Sequence, residues 1–279
     1  MSGEGERQEE PKQKEWEFRV GVRVDPAEGL LSTGMDEVNG LINRGGKVVS
    51  IEGGGAVLRK LNQDDTSEDP AMTLSGCDMK VVIDMTEFGT NAASQEHDRL
   101  YREGLELINP YIFITGRDHQ PADTEAARDD LAEGKELFRQ ALAIDPGNGA
   151  AWWIIGKAEQ VLENTEAACD AFRHAYQLIH DNPDAAREYM FECLKLGRTE
   201  QAISAARHAR KLKPEDMGLA ANLALALLIG GELEEAAAVI EVAVAGAPDD
   251  PINMNLQQRI AEVRAGKQPQ PHNLADMDA

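Results

Sequence analysis

The stretch Gly149–Asn182, GAAWWIIGKAEQVLENTEAACDAFRHAYQLIHDN, decides the fold of this chain. Large residues (Trp152, Ile155, Phe172) and small ones (Gly156, Ala168, Ala175) fall at helical spacing. Two antiparallel helices in close approach need small residues where they touch and large ones where they meet the next pair.

The same features recur every 34 residues. Gly134, Ala168, Ala202 and Ala236 form one register; Ala141, Ala175, Ala209 and Ala243 form a second; Phe138, Phe172, Ala206 and Ile240 form a third. Pro146, Pro214 and Pro248 form a fourth, with His180 in the missing slot, and Gly197 and Gly231 repeat between helices. Agreement of independent registers without an insertion marks a stacked repeat, in which proline stops the second helix of each unit.

The pattern Trp152-x2-Ile155-Gly156 … Ala168-x3-Phe172 resembles the tetratricopeptide repeat family. Later units depart from it, with Cys193 and Leu227 where the family usually carries tyrosine. The resemblance covers about residues 125–266: a half repeat at 125–148, full repeats at 149–182, 183–216 and 217–250, and a capping helix at 251–266. It implies a curved helical solenoid whose concave face, lined by the first helix of each unit, holds extended or helical peptides.

By that resemblance the inward positions include Trp153, Lys157, Gln160, Arg187, Phe191, Lys195 and Leu225. Lys157, Arg187 and Lys195 are then cations available to acidic side chains or a C-terminal carboxylate, with Trp153 and Phe191 as apolar anchors. The competing reading pairs them with Glu159, Glu188 or Glu192 as ordinary solvated charges. A carboxylate clamp of the type that holds chaperone C-termini is absent, because Ala221 and Leu225 occupy its third-repeat positions. The apolar third repeat calls instead for a covering helix, a partner domain or the protein's own N-terminal domain.

Upstream, the pattern changes. Phe18, Val20, Val22 and Val24 alternate with polar residues and glycine, as in a half-buried strand. A short helix capped by Ser32 or Thr33 runs through Met35–Ile42, and strands at 47–51 and 56–61 meet at a Gly53-Gly54-Gly55 turn. A polar loop at 62–70, a strand at 79–85, a helix at 92–108 and a strand at 111–115 complete a β-α-β-β-β-α-β order. The expected fold class is therefore an α+β N-terminal domain, a split βαβ-like sandwich at 15–115, followed by the all-α solenoid. Residues 116–124 read as a linker, and 1–14 and 267–279 as disordered tails.

The 279 residues carry 28 Lys plus Arg against 50 Asp plus Glu, a formal charge of −22 shared by both halves. Such a surface repels phosphate backbones and anionic bilayers, and no basic run offsets it, so nucleic acid and membrane are excluded as partners. The longest apolar stretch, Leu219–Ile229, is about half a bilayer span, and the N-terminus has no secretory leader pattern. Three widely spaced cysteines (Cys77, Cys169, Cys193) suit a reducing compartment. A soluble, cytoplasmic protein is expected.

No motif for chemistry survives scrutiny. Gly53–Gly55 lacks the Lys-Ser/Thr ending and helix of a phosphate loop. The six histidines lack metal spacing, Cys77 has no sequence-local His or Lys to activate it, and Cys193 falls at a core position of the repeat, where it behaves as a small hydrophobe. The expectation is a non-enzymatic interaction scaffold or adaptor, without cofactor or metal, that binds a protein or peptide in its groove. The alternatives are a secretion- or assembly-type chaperone, and an N-terminal ligand-binding or catalytic domain regulated by the repeats; a homo-oligomer is compatible with each.

Overall fold

A computed structural model describes residues 15–25, 29–60, 72–85, 87–114 and 117–277. The tail expected at 1–14, the polar loop at 62–70 and residues 278–279 lie outside the described residues.

The N-terminal region is a four-stranded antiparallel sheet with strand order β2-β1-β4-β3. β1 (Glu15–Asp25) pairs with β2 (Gly29–Thr33), and β3 (Lys47–Lys60) pairs with β4 (Met72–Asp84). β1 also pairs with β4, setting Phe18 against Val81 and Trp16 against Ile83. Helix α1 (Met35–Asn43) covers part of one face through Val38 and Leu41, closing a small core with Val20, Val81 and Ile83.

This is not a split βαβ sandwich. Two antiparallel hairpins need no crossover helix, and none of the pairings is parallel. The Gly53–Gly55 turn is also corrected. β3 runs straight through it, and the extra residue is absorbed as a register shift between Gly53 and Gly55 against β4. Ser32 and Thr33 belong to β2, and the cap of α1 is Gly34, whose left-handed φ of 75° a glycine adopts without strain. Residues 111–114 form a turn and loop, not a strand.

The rest is helical: α2 (Ala92–Ile108), α3 (Glu125–Ile144), α4 (Gly149–Val161), α5 (Thr165–Leu178), α6 (Pro183–Lys195), α7 (Thr199–Leu212), α8 (Met217–Ile229), α9 (Leu233–Gly246) and α10 (Pro251–Arg264). The 34-residue registers are the helix contacts themselves. Ala168, Ala202, Ala236, Ala141, Ala175 and Ala243 are all fully buried, as are Phe138 and Phe172. Added bulk at Gly156 would strike the Phe172 ring within 2.8 Å, so the small residue sets the α4–α5 distance.

α2 packs along α3, antiparallel to it, with Gly104 and Gly134 against each other's backbone. The half repeat at 125–148 therefore has a first helix, supplied from before the loop 109–124. Six helix starts are capped by side chains: Asn91, Thr124, Asn148, Asn182, Asp216 and Asp250 each accept a backbone N–H. The turn within each full repeat uses a left-handed residue at one grid position, Gly197 and Gly231 in two repeats and Glu163 (φ 59°) in the first.

The sheet is joined to the solenoid through Arg44. Its guanidinium reaches Asp145 at 3.2 Å, Asp98 at 3.0 Å and Ser94 Oγ at 3.1 Å, while Asn43 donates to the Ile144 carbonyl.

Candidate peptide-binding groove

Curvature fixes which helices face inward. The first helices α6, α8 and α10 touch one another directly, whereas the second helices α5, α7 and α9 have no contact of that extent. The first helices therefore line the concave face, and the inward positions repeat as the column Lys157, Phe191, Leu225 and Arg259 at 34-residue intervals.

Between α4 and α6 this face is polar. Lys157 is buried, its ammonium 2.8 Å from Glu188 Oε1 and above the rings of Trp153 (5.3 Å) and Phe172 (5.9 Å). Gln160 donates to Glu188 at 3.1 Å and to Glu192 at 2.7 Å. Lys195 meets the same Glu192 oxygen, Oε1, at 2.7 Å, and Arg187 pairs with Asp184 at 3.0 Å. Glu192 is fully buried, and its second carboxylate oxygen has no hydrogen-bond partner. Burying charges is tolerable only when they are matched, and here cations and carboxylates interleave from helix to helix.

The three cations named from the sequence thus share one face, but they do not form a free basic patch. Lys157 is a structural ion pair, Arg187 is half-buried against Asp184 and Glu188, and only Lys195 is substantially exposed. Trp153, Phe191 and Leu225 are half-buried against the hydrophobic clusters, each with part of its side chain open.

Between α6 and α10 the face is apolar, and it is covered. α8 is apolar on every side, and such a helix must be buried on every side. The stretch 267–277, expected as a disordered tail, turns back from α10 across the first helices. Gln270 donates to the carbonyl of Leu228 in α8, and the His272 carbonyl passes beside Gly197 at the end of α6. A 3-10 turn, Leu274–Met277, then packs on α6, with Leu274 and Met277 against the same hydrophobic cluster that Phe191 and Leu225 border. The Arg259 guanidinium approaches the Asp276 carbonyl at 3.4 Å, while its Nε is buried without a partner. The sequence reading missed Arg259, although it lies 34 residues after Leu225.

Other polar groups serve packing. His174 stacks on Trp152 at 4.4 Å, and burial pushes its imidazole below the ordinary value. His208 bonds with Tyr176 at 3.1 Å, and buried His97 contacts Asn148. Cys169 and Cys193 are buried thiols, not joined in a disulfide, with sulfurs 3.7 Å apart; the Cys193 hydrogen bond and the Arg198 guanidinium hold Cys169 below the usual thiol range. Among the described residues no three His, Cys, Asp or Glu side chains gather as a metal-holding group, and no helix is long and apolar enough to cross a membrane.

Comparison with known proteins agrees with this architecture. A family model described as tetratricopeptide repeat matches residues 194–251, and a model of YpiA-like, C-terminal tetratricopeptide repeats matches residues 150–216. Protein FlbA of Caulobacter vibrioides is 25% identical over 182 residues, 65% of this chain and 30% of that protein. The chain therefore spans less than a third of the length of this curated relative. Among solved structures, the MamA RS-1 ArsTM double mutant superposes with a TM-score of 0.50 at 14% identity, over 62% of this chain and 87% of that one. YrrB, a TPR protein with an unusual peptide-binding site, superposes with a TM-score of 0.47 at 17% identity, over 67% and 90%. The helical repeats that these models match, residues 150–251, are therefore tetratricopeptide repeats.

Proposed function

We propose that the protein is a non-enzymatic adaptor whose concave groove binds a partner polypeptide. Tetratricopeptide repeat proteins generally mediate protein–protein interactions, and their fold is typically a scaffold without catalytic machinery. The observation that carries the reading is the seating of a short segment, 270–277, on the inner face formed by α6, α8 and α10. A surface that accommodates one short peptide through apolar contacts and a backbone hydrogen bond has the chemistry to accommodate another.

The groove residues proposed are Trp153, Phe191 and Leu225 as apolar contacts, with Gln160, Arg187 and Lys195 at the polar end. Lys157 supports the groove from beneath. Because the three cations are matched by Asp184, Glu188 and Glu192, preference for an acidic or carboxylate-bearing partner has less support than apolar recognition does. A cytoplasmic setting, suggested by the three cysteines, belongs to this reading, and so does the chaperone variant, in which the bound segment is an apolar client.

Selection from a displayed peptide library tests it. The wild-type chain should enrich a sequence class that the Trp153→Ala/Phe191→Ala double variant no longer retains. Enrichment indifferent to those substitutions would remove the groove as the site.

A further inference from the structure

The inner face of α8 presents Ala221, Leu225, Leu228 and Ile229, and three of these four are buried in the cluster that Leu274 and Met277 pack against. What lies over this end of the groove is the protein's own Gln270–Met277. Four contacts made by different residues hold it there: Gln270 to the Leu228 carbonyl, the His272 backbone beside Gly197, Leu274 and Met277 in the hydrophobic cluster, and Arg259 to the Asp276 carbonyl. The segment is also preshaped. The His272 N–H donates to Asp276 Oδ2 at 2.8 Å and the Asp276 N–H donates to Asn273 Oδ1 at 3.1 Å, closing the turn that sets Leu274 and Met277 on one side.

We propose that Gln270–Met277 is a tethered occupant of the peptide groove, and that the partner which displaces it is a short segment of the same chemistry. That chemistry is two apolar side chains three residues apart on a single helical turn, preceded by a hydrogen-bonding residue in an extended stretch. This proposal rests on the groove reading above and adds to it the class of ligand and a built-in competitor. The tether is short, since α10 ends at Arg264 and the first anchoring contact is Gln270. A short link gives an effective concentration in the mM range, so a free peptide must outcompete it. The apparent affinity of any partner is lowered by the fraction of time the groove stands closed.

The contacts also separate anchor from rim. Leu274 and Met277 contribute the apolar burial, whereas the Asp276 side chain is spent on its own turn and leaves only its carbonyl to Arg259. Selection by acidity is therefore not what this segment displays.

The test uses the full chain and a fluorescent synthetic peptide with the sequence of residues 267–279. In the Leu274→Asp/Met277→Asp variant the groove is released, and the peptide should bind at least ~10-fold more tightly than it binds wild type, as the effective-concentration argument requires. A peptide carrying the same two substitutions should not bind. Leu274→Ser/Met277→Ser, a milder opening, should show the same ordering, and circular dichroism of both variants verifies that the helices persist. Equal peptide affinity for wild type and both variants, or no binding to any, overturns the proposal. If library enrichment still depends on Trp153 and Phe191 in that event, the groove reading stands and only the self-occupancy falls. Tight binding that appears only as wild-type dimers form would place the segment in a second copy and overturn its intramolecular role.

Discussion

The Lys157 ammonium lies 2.8 Å from Oε1 of Glu188, and both side chains are more than nine-tenths buried. This bond ties α4 to α6 beneath the groove, so Lys157 answers to the fold before it answers to any ligand. Lys157→Met leaves the Glu188 carboxylate buried with less compensation and should cost about 3 kcal/mol of stability. Replacing both partners, as Lys157→Met/Glu188→Leu, removes the desolvation problem and should return to within about 1 kcal/mol of wild type. Urea denaturation of the two variants checks the ordering. A pair worth nothing would show no loss in the single variant.

The left-handed residue of each repeat turn gives a second expectation. Glu163 has φ 59° where Gly197 (68°) and Gly231 (81°) hold the equivalent places. A side chain costs about 1 kcal/mol in this conformation, and glycine avoids that cost. Glu163→Gly should therefore raise stability by up to about 1 kcal/mol. Gly231→Ala should lower it by a similar amount, because an added Cβ there meets no atom within 4 Å and only the backbone is strained. Opposite signs in thermal unfolding midpoints are the expected result.

Gly104 and Gly134 let α2 and α3 approach closely. A Cβ at Gly104 would sit 3.0 Å from the Gly134 carbonyl oxygen, and one at Gly134 would sit 2.6 Å from Ile108 Cγ1. Gly104→Val should force the pair apart and cost about 1–3 kcal/mol, with faster proteolysis in the loop 109–124. Unchanged stability would mean that α2 is not an integral member of the stack.

What the sequence made legible follows from how each element is specified. The repeat helices announce themselves because every unit must solve the same packing problem, so Ala168, Ala202 and Ala236 recur at one spacing. The partner of α3 escaped that grid because the loop 109–124 is far longer than the three-residue turn Leu162–Asn164 inside the next unit, which shifts α2 out of register. β3 was divided at Gly53–Gly55 because glycine weakens a strand pattern locally, whereas cross-strand pairing to Gly76–Asp84 decides the outcome. The groove column was readable at Lys157, Phe191 and Leu225. Its pairing was not, since interleaved charge depends on how α4 lies against α6. Nor was its occupant. Residues 267–277 have only two large apolar side chains, Leu274 and Met277, and owe their order to the surface that receives them.

His174 sets the last expectation, a pH dependence. Its ring stacks on Trp152 at 4.4 Å, and burial first, then the neighbouring Arg173, hold it below the ordinary histidine value of 6.5. In the unfolded chain it takes up a proton near 6.5, whereas in the folded chain it resists protonation until the pH is lower. Over that interval the unfolded state binds more protons, so stability rises with pH. The stabilising contribution is complete above about 6.5 and is lost as pH falls through the folded-state value. His174→Gln retains a polar side chain without a titrating ring. Measured by urea unfolding from pH 8 down to pH 5, the difference between wild type and this variant should move in favour of the variant as the solution becomes more acidic. Acidic carboxylates elsewhere contribute equally to both proteins and cancel in the comparison. A difference independent of pH would mean that the buried ring titrates alike in both states, and that the stack on Trp152 does not exclude the charged form.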